Sequence, residues 1–115
     1  MSAAGCLFCR IAAGEIPATI VAREDGFLAF EDIAPKAPVH LLVISERHIP
    51  SIAAIVEMPE GERAAMLAFI ASVASAAGLD DSGYRVVTNH GPDSRQSVLH
   101  LHWHIMGGAT LSETM

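Results

Sequence analysis

Over residues 100–104 three histidines alternate with large apolar residues, His100-Leu101-His102-Trp103-His104, and Ile105-Met106 and Gly107-Gly108 follow. Strand side chains alternate faces with a period of two. That spacing predicts His100, His102 and His104 on one face and Leu101, Trp103 and Ile105 on the other, where they can enter a core. Imidazole is the side chain best suited to proton transfer or metal ligation near neutral pH. One ion held by all three rings is a poor fit. At about 3.3 Å per residue the backbones of His100 and His104 lie roughly 13 Å apart, whereas zinc–nitrogen bonds are about 2.0–2.1 Å and tetrahedral. A ladder of half-buried structural histidines is the plainer alternative, weakened by there being three in a row. A division of labour remains, with one ring doing chemistry and its neighbours positioning it. A second constellation, Cys6-x-x-Cys9, has metal-ligand spacing. It equally suits a pair of buried thiols or a redox pair.

These residues need elements to hold them. Residues 6–13 read as a short helix with Leu7, Phe8 and Ile11 at helical spacing, ended by Gly14 and Pro17. Residues 18–23 and 27–31 read as strands joined by the hairpin signal Glu24-Asp25-Gly26. A loop at 32–38, with Pro35 and Pro38, precedes a near-continuous apolar strand at 39–45 that belongs in the middle of a sheet. The longest helix is expected over 59–77. Pro59 suits its first turn, Glu60 and Glu62 complement its positive end, and Gly78 stops it. Its apolar stripe is Met66, Phe69, Ile70, Val73 and Ala77. A strand at 84–89 and a polar loop at 90–97 lead to the histidine strand. Strands with one long helix give an α+β fold, the helix covering one face of an antiparallel sheet.

Composition bounds the partners. The 115 residues, 51% hydrophobic and 17% charged, read as one domain over 1–115, with no repeat or linker. The formal net charge is −6, and Lys36 is the one lysine among seven basic residues. A protein that neutralises nucleic-acid phosphates wants a basic stripe, and none is visible, although a mononucleotide can be held by neutral donors. No basic segment leads into a long apolar run, and no stretch approaches the roughly 20 apolar residues of a membrane span. A soluble, cytoplasmic protein is the expectation, with no nucleic-acid or membrane partner.

Ordered blocks along the chain carry a resemblance. His100-Leu101-His102-Trp103-His104-Ile105-Met106 fits the motif of histidine-triad (HIT) proteins at every position. Phe8-Cys9-Arg10-Ile11, Gly14-Glu15-Ile16-Pro17, Leu28-Ala29-Phe30-Glu31-Asp32-Ile33, Ala37-Pro38-Val39-His40 and Gln96-Ser97-Val98 match the rest. The chain resembles the Hint-type branch, the purine nucleoside phosphoramidases. That resemblance implies a HIT-like fold with a five-stranded antiparallel sheet, one long and one short helix, and a homodimer whose sheets join.

It also implies roles. His102 would be the nucleophile toward the phosphorus of a nucleoside 5′-phosphoramidate, and the nucleotidyl-imidazole would then be hydrolysed to the monophosphate. His104 would bond the phosphate oxygens, His40 would support the nucleophile and its proton traffic, and Ser97 would donate to the phosphate or leaving group. Asp32 matches the ribose-binding acid. Phe8, Phe30, Ile33 and Leu42 match the base pocket, and Asn89 and Gln96 match further nucleotide contacts. No organic cofactor is implied. Some relatives bind a structural zinc ion through positions matching Cys6, Cys9, His48 and His100.

The chain departs from the pattern in two places. Ser94-Arg95 stand where two small residues usually precede Gln-Ser, which adds a cation near the phosphate and is expected to alter the leaving group preferred. The tail also lacks the Trp-Pro ending of some Hint proteins. His90 has no counterpart and is assigned no role. The competing expectations are a dinucleoside-polyphosphate hydrolase from another branch, and a nucleotide-sensing scaffold with little turnover.

Overall fold

The computed structural model describes residues 5–113. Helix α1 (Leu7–Ala12) leads into strands β1 (Ile20–Glu24), β2 (Phe27–Glu31) and β3 (Val39–Ser45). Helix α2 (Glu60–Ala76), β4 (Tyr84–Val87) and β5 (His102–Gly107) follow. Every strand pairing is antiparallel, in the order β1-β2-β3-β5-β4. The expected α+β fold is therefore present, with the apolar strand at residues 39–45 at the centre.

Alternation in β2, β3 and β5 builds two cores. Phe27 and Ala29 of β2, Leu41 and Val43 of β3, and Leu101 and Ile105 pack with Met66, Phe69, Ile70, Val73 and Ala74 of α2. On the opposite face, Leu28, Phe30, Leu42 and Ile44 pack with Cys6, Phe8 and Ile11 of α1. Both faces of β3 are covered, which is why its sequence is an unbroken apolar run and not an alternating one. The α2 stripe ends on Ala74. Ala77, expected in the stripe, is exposed at the helix end.

Local signals place the ends of these elements. Asp25 (φ 42°) and Gly26 (φ 90°) form a two-residue hairpin with both residues left-handed, a geometry matched to the twist of the strands. Gly78, at φ 79°, ends α2; the next amide, Leu79 N–H, returns to the Ala74 carbonyl, and the Leu79 side chain is buried. A 3-10 segment, Ile52–Glu57, was not expected; Ser51 caps it by accepting from Ala53 N–H at 3.1 Å. No helix among the described residues is long and apolar enough to cross a membrane.

Candidate active site

His102 and His104 lie on β5 and face the α1 side. His100 precedes the strand yet faces the same way, so the expected common face holds although the strand starts two residues later than the motif. The register places Ile44 opposite His102, Leu42 opposite His104 and Met106 opposite His40. His40 and His104 are therefore diagonal neighbours, a spacing that imidazoles can bridge. Their ring centres lie 5.1 Å apart and His40 Nε2 is 2.9 Å from His104 Nδ1.

Hydrogen-bond partners fix each ring. His102 Nδ1 lies 2.8 Å from the His100 carbonyl. A carbonyl only accepts, so Nδ1 carries the proton and Nε2 keeps its lone pair. Lys36 N–H donates to His40 Nδ1 at 2.9 Å, which puts the His40 proton on Nε2, donating to His104 Nδ1. The remaining nitrogen of His104, Nε2, is then a donor. His100 Nε2 donates to the Ser45 carbonyl at 2.7 Å and leaves Nδ1 as a lone pair. One backbone amide and two backbone carbonyls thus assign four imidazoles.

Burial reinforces this. It depresses the protonation of His102 and His40, and pushes His104 down to about 4, helped by the neighbouring His102 and His40. All three are neutral near pH 7. Asp32 Oδ1 accepts from Ala34 N–H at 2.8 Å, and its Oδ2 lies 3.4 Å from His40 Nε2. The acid expected only at the ribose therefore also touches the His40–His104 pair.

Two cavities meet at this strand. An apolar one of about 340 Å³ is lined by Phe8, Phe30, Ile33 and Leu42, with Asp32, Ser97, His102 and His104 at one side. A polar one of about 410 Å³ shares those last four residues and adds His40, Asn89, Gln96, Lys36 and Arg95. Every residue expected at the nucleotide thus lines one or both. The Gln96 amide ties its loop together and to residue 50: Oε1 accepts from Gly91 N–H at 2.9 Å, and Nε2 donates to the Pro50 and Val98 carbonyls. His90, given no role from sequence, meets the Ser51 hydroxyl at 2.7 Å and ties the same loop to residue 51.

Cys6, Cys9, His48 and His100 converge, with one ligand atom each within 4.8 Å of all the others. Cys6 Sγ lies 3.2 Å and Cys9 Sγ 3.4 Å from His100 Nδ1, Cys9 Sγ 3.3 Å from His48 Nδ1, and the two Nδ1 atoms 3.2 Å apart. A tetrahedral zinc ion with bonds of about 2.0–2.3 Å separates its ligand atoms by roughly 3.3–3.8 Å. Two thiols and two imidazoles at these distances fit such an ion, and the His100 tautomer presents the nitrogen it would need. Burial, followed by Cys6, pushes the Cys9 thiol up to about 11, and burial brings His100 down to about 4.

With this geometry in view, the sequence pattern of the HIT domain family matches residues 13–111. Protein HitA of Neisseria gonorrhoeae is 41% identical over 102 residues, covering 89% of this chain and 94% of that protein. The solved HIT family hydrolase of Legionella pneumophila superposes with a TM-score of 0.89 at 42% identity, covering 95% and 97% of the two chains. A histidine triad protein of Clostridium difficile gives 0.85 at 39%, covering 96% of each. The chain belongs to the HIT domain family.

Proposed function

We propose that this chain is a Hint-type hydrolase that cleaves the P–N bond of purine nucleoside 5′-phosphoramidates through a nucleotidyl-His102 intermediate. The observation that carries the reading is the 2.8 Å bond from His102 Nδ1 to the His100 carbonyl, which leaves an unprotonated Nε2 on a ring that lines both cavities. The Legionella pneumophila relative is itself named a hydrolase. The base would occupy the apolar cavity against Phe8, Phe30, Leu42 and Ile33, the ribose would meet Asp32, and the phosphate would lie toward His104, Ser97, Asn89 and Gln96.

The reaction then runs in two displacements. His102 Nε2 forms a bond to phosphorus as the P–N bond breaks, and the departing nitrogen gains a proton from solvent through the Ser97 hydroxyl. His104, donating from Nε2, stabilises charge on the phosphate oxygens. Water next attacks phosphorus, the N–P bond breaks, and a proton returns to solvent with release of the monophosphate. Splitting one hard step into two lowers each barrier.

Cys6, Cys9, His48 and His100 would hold a structural zinc ion, which when bound cross-links α1 to the sheet. No step of the reaction needs it. A homodimer fits the exposed Tyr84 and Val86 on edge strand β4.

The test is turnover of adenosine 5′-phosphoramidate against diadenosine triphosphate by the wild type and His102→Ala. The reading expects preference for the phosphoramidate and a loss of about 10³-fold or more in the variant. Preference for the triphosphate would instead assign the polyphosphate branch. A variant rate close to wild type would remove His102 as nucleophile. Nucleotide binding with no turnover of either substrate would favour a sensing scaffold.

A further inference from the structure

The seven basic side chains divide by partner. Arg10 lies 3.5 Å from Glu15, Arg23 3.2 Å from Glu46 and Arg47 2.6 Å from Glu62. Arg63 donates to the Met58 carbonyl and Arg85 to the Ser112 carbonyl. The other two, Lys36 and Arg95, have no side-chain hydrogen bond or ion pair among the described residues. Both line the polar cavity, and neither lines the apolar one. In a chain of net charge −6, these two cations therefore line the same cavity as His102 and His104.

Arg95 also sits where its backbone does not favour it. At φ 65°, ψ 34° it occupies the left-handed region that glycine adopts without cost, fixed there by Arg95 N–H donating to the Pro92 carbonyl at 2.9 Å. Non-glycine residues held in such sparsely populated conformations cluster at functional sites, and this one lines the cavity that holds His102 and His104. The acid of this cavity, Asp32, already accepts from Ala34 N–H and faces His40. Lys36 is close enough to His40 and His104 for its charge to oppose their protonation.

The placement separates two duties. His104 and Ser97 line both cavities and suit the phosphate that every substrate shares. With the base in the apolar cavity, the group expelled by His102 leaves into the polar one. We propose that this cavity selects a leaving amine carrying its own anionic group, a carboxylate or a phosphate, which Arg95 and Lys36 bind. The anion is recognised and not altered; the bond broken is still P–N. This deepens the nucleophile assignment above and rests on it.

Three adenosine 5′-phosphoramidates test it, made with β-alanine, with 2-aminoethyl phosphate, and with β-alanine amide as the neutral isostere. We expect kcat/KM for at least one anionic substrate to exceed the amide by about tenfold at low salt. The larger of the two ratios shows which anion is preferred, and high salt should erode the ratio. Arg95→Gly, which relieves the backbone while removing the charge, and Lys36→Ala should each bring the ratio toward one, and Arg95→Lys should restore most of it. A wild-type ratio near one overturns the proposal while leaving the phosphoramidase reading intact. So does a parallel fall for all three substrates in the variants, because the cations would then serve the shared phosphate. Failure to turn over any of the three removes the phosphoramidase reading, and this inference with it.

Discussion

At His102 a single backbone carbonyl decides which nitrogen can react, and at His40 a single backbone amide does the same. Lys36 N–H occupies His40 Nδ1, so the His40 proton points to His104 and the His104 proton points onward to the site. Removing His40 leaves the His104 tautomer unfixed and the Lys36 amide without its acceptor. His40→Ala is expected to lower kcat by about 10²–10⁴-fold, with circular dichroism unchanged. A rate within about twofold of wild type would show that the relay does not act in the reaction. None of these bonds could be read from spacing, because each joins segments far apart in sequence or depends on the local turn of the backbone. The residue types were legible at positions 40, 102 and 104; the particular backbone groups that fix their protons were not.

Elements were easier to read than contacts. β3 spans the residues its apolar run defines, the Asp25-Gly26 hairpin follows from two residues that tolerate positive φ, and α2 ends at the glycine that marks its stop. The Ile52–Glu57 segment carried no periodic signal, since a short Ala-rich stretch capped by Ser51 gives neither a helical stripe nor alternation. Gln96 lines the polar cavity as expected of a nucleotide contact, but its amide also bonds backbone groups of Gly91, Val98 and the distant Pro50, a clamp that depends on the fold. The Cys6-x-x-Cys9 pair showed its ligand spacing in the sequence, yet its meeting with His48 and His100 arises only when α1 docks on the sheet. That docking makes a prediction for α1. Adding zinc to metal-free protein should raise the melting temperature by several degrees, and Cys9→Ser should abolish the gain. Equal melting with and without zinc would deny the ion a structural role.

Across the whole molecule, the buried histidines tie stability to pH. His104 binds a proton near pH 6.5 when unfolded but only near 4 when folded, and His40 is shifted the same way. Above pH 6.5 neither state is protonated, so these groups leave stability unchanged. Between about 6.5 and 4 the unfolded chain gains protons that the folded chain refuses, so stability falls as pH falls. Urea unfolding at pH 7.5, 5.5 and 4.5 should show a flat upper limb and a declining lower one. Constant stability down to pH 4.5 would mean that these rings are open to solvent. The same burial keeps His40, His102 and His104 neutral near pH 7 where the two cavities share residues.

The most direct test is to catch the covalent step. Wild-type protein mixed with a purine nucleoside 5′-phosphoramidate and quenched in milliseconds should carry one nucleoside monophosphate, mapped by mass spectrometry to His102 and missing from His102→Ala. Turnover with no adduct at any time point, or an adduct on another residue, would contradict the account.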